Sequence, residues 1–209
     1  MNLVSKLQRY YRRKSASFVF RRPFSISSQQ PLISFTFDDF PRSALLIGGA
    51  ILSRFGLAGT YYASFGLLGR DSPTGQLFVA DDLTTLFGQG HELGCHTFSH
   101  CDSWETATEA FEYSIVQNRA ALNRLFPDAE FKTFSYPINP PRPLTKARIA
   151  DDFLCCRGGG QSFNVGRVDL NQLSAYFLEK TQGDFRPIMD ILELWSCQGV
   201  FAQPRRQRK

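Results

Sequence analysis

The chain has 209 residues, 43% of them hydrophobic and 21% charged, which suits one globular domain with a sizeable core. It contains no apolar run of about 18 residues, which excludes a membrane-spanning helix, and its N-terminus lacks the apolar stretch and small-residue cleavage site of a secretory leader. Its 24 Lys/Arg against 19 Asp/Glu mislead: residues 1–22 hold seven Lys/Arg and residues 205–209 four, with no acid in either, so 13 basic face 19 acidic residues between them. A folded domain of that balance offers no basic patch to nucleic acid.

Residues 1–14, MNLVSKLQRYYRRK, set Leu3, Val4, Leu7, Tyr10 and Tyr11 on one helical face. Lys6, Arg9, Arg12 and Arg13 lie mostly on the other. Such a helix can rest on an anionic membrane surface, although docking on its own domain is the simpler expectation. Residues 23–31, rich in Ser, Gln and Pro, read as a linker. The expected organisation is therefore a helix and linker over 1–30, a folded domain over 31–203, and a basic tail over 204–209.

Within the domain, short apolar runs predict strands over 32–37, 59–64, 92–96, 131–135, 153–157, 173–178 and 199–203. Helical patterns fall between them at 43–55, 79–88, 104–126, 143–151 and 187–196. The clearest runs through Trp104, Ala107, Phe111, Ile115, Asn118, Leu122 and Leu125, with Pro127 just beyond its end. Alternating strands and helices imply parallel βαβ units in a barrel or an open sheet. Either form puts its chemistry at the carboxyl ends of the strands.

Two stretches stand at such ends. In ISFTFDDFP (33–41) the first strand runs out into adjacent carboxylates, Asp38 and Asp39. Neighbouring acids repel each other and call for a nearby positive charge. In GHELGCHTFSHCD (90–102), His96 and His100 are four residues apart, so one turn of helix, or a helix-like loop, turns both imidazoles to the same side. Two His and one carboxylate form a facial set that leaves metal positions open for water and substrate. Zinc suits the set, as do cobalt, nickel and iron. A closed Cys2His2 site is disfavoured, because Cys95 and Cys101 directly adjoin the two His and should point elsewhere. Five Cys with no CxxC spacing (Cys95, Cys101, Cys155, Cys156 and Cys197) read as free thiols in a reducing compartment, and a cytoplasmic location is expected.

The order TFDD, then HTFSH, then an apolar strand ending TFSYPINPP resembles the NodB-type polysaccharide deacetylases over residues 31 to about 203. The resemblance implies an α/β fold, a distorted (β/α)7-type barrel, and metal-dependent removal of N- or O-acetyl groups from an acetylated oligo- or polysaccharide. It implies Asp38 as general base, Asp39, His96 and His100 as metal ligands, and the backbone N–H of Ile138 as oxyanion donor. Where many members carry an Arg that sets the base, this chain has Ser135; Arg142 is one candidate to reach back to Asp38, the alternative being a Pro-rich strand exit with no catalytic part. Members usually also supply a general-acid His from the last strand. This sequence has no His after His100, so weakened turnover, or a non-catalytic metal- or glycan-binding role, is the alternative expectation, as is another C–N hydrolase on the same scaffold. His91 lies at the wrong end of its strand to replace it.

Overall fold

The structure, a computed structural model, describes residues 3–28, 32–138 and 140–178. In chain order the elements are α1 (Leu3–Phe18), β1 (Pro23–Ser25), β2 (Phe35–Phe37), α2 (Ala50–Arg54), β3 (Gly59–Ala63), β4 (Asp71–Ser72), β5 (Gly75–Gln76) and α3 (Ala80–Gly88). There follow β6 (Glu92–Cys95), α4 (Thr108–Leu125), β7 (Thr133–Ser135), α5 (Pro143–Arg148), β8 (Cys155–Arg157) and β9 (Arg167–Asp169). The segment Ala44–Gly49 that leads into α2 is a wider π-helical turn.

Five of the predicted strands form one parallel sheet in the order β2-β3-β6-β7-β8. Strand order follows chain order because each strand is followed by a helical segment that returns the chain to the same end. All five residues of β3 are buried, as befits a strand covered on both faces. Packed against the sheet is a core in which Phe40, Tyr61, Phe78, Phe111, Phe134 and Tyr136 are fully enclosed. The sheet curls as a distorted α/β barrel does, and within the described residues it stays open.

Three expectations need correction. The strand predicted over 173–178 reduces to a single parallel bridge, Arg157 with Leu173. Residues 23–25 of the expected linker instead form β1, antiparallel to β9. Asp169 brings this about, accepting hydrogen bonds from the Arg22 and Asn171 N–H groups at 2.9 and 3.0 Å. The long helix predicted from Trp104 begins only at Thr108. The Asp102 carboxylate accepts the Trp104 N–H at 2.8 Å and holds a turn there instead. The helix expected at 187–196, the strand at 199–203, the basic tail and Cys197 lie outside the described residues.

The N-terminal helix docks on the domain. Lys146, completely buried on α5, donates from Nζ to the Ala16 and Val19 carbonyls at 2.6 and 3.1 Å and to Asp169 Oδ2 at 2.6 Å. Near the middle of α1, Arg12 pairs with Glu105 at 2.7 Å and lies over the Trp104 ring, while Tyr11 meets that ring edge-on.

Candidate metal centre

Asp38 and Asp39 follow β2 directly, His96 and His100 follow β6, and Ser135 ends β7. All therefore lie at the carboxyl end of the parallel sheet, where strand polarity gathers loop side chains. Asp39 Oδ1 stands 3.1 Å from His100 Nε2 and 3.5 Å from His96 Nε2. One ligand atom from each of the three residues falls within 4.8 Å of the others, and among the described residues no other His, Cys, Asp and Glu side chains converge in this way.

The loop between the two His is not a helical turn. Thr97 and His100 have φ of 58° and 52°, and the loop is tied down from outside. Buried Ser114 on α4 accepts the Phe98 and Ser99 N–H groups on its hydroxyl at 3.0 and 3.2 Å. Thr97 Oγ1 accepts the Cys101 N–H at 3.0 Å and closes the bend. A Cβ on Gly66 would sit 2.5 Å from the Phe98 carbonyl, so only glycine lets β3's loop approach and donate its N–H there.

Among the described residues seven non-glycine residues have positive φ, and five of them surround this site: Asp39, Phe40, Thr97, His100 and Ile138. Three are bulky or β-branched, for which this conformation is costly. Packing sustains it. Phe40, for example, is fully buried and stacks on Phe78 at 4.8 Å.

The donor set fits a divalent ion. His96 Nδ1 lies 2.7 Å from the Ser135 carbonyl, which can only accept. That nitrogen therefore carries the proton, and the Nε2 lone pair faces Asp39 and His100. Asp39 Oδ1 is buried yet makes no hydrogen bond, the state of an oxygen placed to meet a cation. The His100 imidazole, then that of His96, hold the Asp39 carboxyl well below the usual carboxylate range, against an upward push from burial.

Asp38 faces a different partner. Its Oδ1 accepts from Arg157 Nη2 in a close ion pair and from the Ser135 hydroxyl at 3.1 Å. The same guanidinium nitrogen donates to Ser135 Oγ at 2.7 Å, and the guanidinium lies 5.2 Å over the Tyr62 ring. Arg157 is thus the cation at Asp38, and Arg142 is not. The Arg142 backbone N–H instead serves Ser103 Oγ at 2.9 Å. The missed signal was visible, since Arg157 is the last residue of a predicted strand and so belongs to the same face.

Other expectations hold. Cys95 Sγ meets Asn118 Nδ2 at 3.4 Å and Cys101 Sγ meets Ser114 Oγ at 3.4 Å, so both thiols point into the scaffold. His91 accepts the Gly59 N–H at 3.1 Å at the far end of the sheet. Ile138 is exposed three residues beyond Ser135, and among the described residues its N–H has no acceptor.

The profile of the family described as "Polysaccharide deacetylase" matches residues 26–146. The chain belongs to the polysaccharide deacetylase family. The match takes in Asp38, Asp39, His96, His100 and Ser135 and ends before Arg157. Solved deacetylase structures share the fold. IcaB from Ammonifex degensii is 17% identical with a TM-score of 0.63, over 76% of this chain and 73% of that one. The de-N-acetylase from Aggregatibacter actinomycetemcomitans is 12% identical with a TM-score of 0.58, over 78% and 76%. The Streptococcus pyogenes deacetylase PplD, solved in complex with acetate, is 16% identical with a TM-score of 0.58. That alignment takes 69% of this chain and 63% of PplD, so this chain spans less than two thirds of it. A search of curated proteins found no match.

Proposed function

We propose that this chain is a metal-dependent carbohydrate deacetylase that hydrolyses N- or O-acetyl groups of an oligo- or polysaccharide. The single observation that carries the reading is the division of labour between neighbouring carboxylates: Asp39 faces two imidazoles, while Asp38 faces Arg157 and Ser135. Asp39, His96 and His100 would hold the ion. The chemistry it supplies when bound is acidification of a water and polarisation of an acetyl carbonyl.

The protein's own part is proton transfer and alignment. Arg157 and Ser135 both bond Asp38 Oδ1, which fixes the carboxylate and leaves Oδ2 to take a proton from the attacking water. The Ile138 N–H is the candidate donor to the developing oxyanion, a role that depends little on side-chain identity.

No imidazole after His100 is present in this sequence to protonate a leaving amine. We therefore expect esters with good leaving groups to be cleaved more readily than acetamides. The loss of a positioned acid corresponds to roughly 10²–10⁴-fold in rate.

The test is acetate release from N-acetylglucosamine oligomers and from an aryl acetate, by the full chain loaded with zinc or cobalt. Release from both substrates that disappears in His96→Ala supports deacetylation. Release from the aryl ester alone supports a working site without an acid. Metal binding by a folded protein with no release from either substrate overturns the reading in favour of a non-catalytic metal- or glycan-binding domain. Release that glycan oligomers fail to inhibit points to another C–N hydrolase.

A further inference from the structure

The N-terminal helix docks with the wrong side for a simple packing element. Its domain-facing residues are polar or small: Ala16 is fully buried, and Ser5 and Arg12 are half-buried. At about 3.6 residues per turn these three share one side, and Val4, Leu7 and Phe18 fall on the far side, with Tyr11 at the edge of the stripe where its ring meets Trp104. Those four are, in that order, 60%, 59%, 75% and 63% exposed. An amphipathic helix normally buries its apolar stripe against the core. Here the stripe is turned to solvent while Lys146 and Trp104 hold the helix in place. Exposed Tyr10 widens the stripe.

Charge says what covers it. Residues 1–22 hold seven Lys/Arg and no acid, whereas residues 23–204 hold 13 basic and 19 acidic residues. Exposed Lys6 and Lys14 border the apolar row. In a two-fold dimer through this face each of these lysines would meet like charge, with no carboxylate on the helix to relieve it. Anionic lipid meets both requirements, since headgroup phosphates pair with the lysines and the interface accepts Tyr and Phe rings. The acidic remainder of the chain is repelled by the same surface, which orients the molecule helix-down.

We propose that α1 is a built-in docking face for an anionic lipid surface. Val4, Leu7 and Phe18 seat at the acyl boundary, and Lys6 and Lys14 engage lipid phosphates. The helix is held on the domain beforehand, so binding needs no folding step. It rests on Trp104, in the loop that follows His100, whose indole N–H donates to the Pro140 carbonyl in the loop after β7 at 2.9 Å. The proposal is independent of the deacetylase reading.

The test is flotation of the full chain with vesicles of equal parts phosphatidylcholine and phosphatidylglycerol, and with phosphatidylcholine alone. Binding to the mixed vesicles, weakened by salt and poor on neutral ones, is the expected result. The double variant Leu7→Glu/Phe18→Glu changes exposed positions and should keep its melting temperature while its partitioning falls about tenfold or more. Lys6→Glu/Lys14→Glu should lower partitioning to anionic vesicles by roughly fivefold per residue. His96→Ala should bind vesicles as the parent does, so failure of the catalytic reading leaves this result intact. No partitioning by the parent chain, equal partitioning by the parent and both variants, or a dimer that Leu7→Glu/Phe18→Glu dissociates, overturns the proposal. The last outcome would make the face a self-interface.

Discussion

Arg157 and Asp38 meet although they stand at the ends of the two outermost strands of the parallel sheet. Arg157 closes β8, Asp38 follows β2, and three strands lie between them. Only a curled sheet brings these edges together. The ion pair is both a measure of that curl and the means by which the far edge reaches Asp38. Ser135, from the strand next to β8, completes the bridge by bonding both partners.

Removing the guanidinium should therefore separate catalysis from metal binding. Arg157→Met is expected to lower kcat roughly 10²-fold, with KM and metal content little changed. Arg157→Lys restores only part of the loss, because one ammonium cannot reproduce the guanidinium's placement over Tyr62 and against both oxygens. Ser135→Ala should cost less than about tenfold, because Arg157 remains on Asp38. Steady-state kinetics beside metal analysis of the same samples checks all three.

Asp38→Asn and Asp39→Asn should have opposite signatures despite their adjacency. The first is expected to keep its metal and lose activity by roughly 10²–10⁴-fold. The second should lose metal affinity itself, since it removes the charged ligand. Metal per chain after dialysis decides this, and similar retention in both variants would contradict the assignment.

Lys146 is the largest single polar commitment in the core. Truncating it leaves Asp169 buried beside two unpaired carbonyls, those of Ala16 and Val19. Lys146→Ala should destabilise the fold by about 3 kcal/mol or more in urea titration. Adding Asp169→Asn should recover part of that loss, because the stranded charge is then gone. Proteolysis should also reach α1 sooner in the single variant, since its C-terminal anchor is lost.

Alkaline pH should weaken the protein in a defined window. Burial pushes the Cys95 thiol up to about 11 and the Cys156 thiol up to about 12, from an ordinary value of 9.0. Between those values the unfolded chain has released protons that the folded chain still holds, so stability falls as pH rises. This contribution is complete below pH 9.0 and is lost progressively up to about 12. Melting temperatures measured across that range should decline, and Cys156→Ala should make the decline shallower. An unchanged slope in that variant would remove the thiol from the account.

The chemistry-bearing residues were legible in the sequence because their signals are local. Asp38 and Asp39 adjoin one strand end and His96 and His100 another, so strand polarity placed all four on one face, although the loop between the two His is not the helical turn that their spacing suggests. The five sheet strands were legible for the same reason, being short apolar runs with turn residues between them. Arg157 was half-legible. Its strand and polarity were readable, but its partner lies 119 residues away, and which cation reaches Asp38 depends on how far the sheet curls.

Length, charge placement, strand polarity and the grouping of Asp39, His96 and His100 were thus determined by the sequence alone, since each rests on neighbours a few residues apart. Tertiary structure alone decided that β1 pairs with β9, that Lys146 is buried, that Arg157 reaches Asp38, and that α1 turns its apolar row outward. Each of these joins segments far apart in the chain. A helical pattern fixes which residues share a face, but only packing against the rest of the fold decides which face is buried.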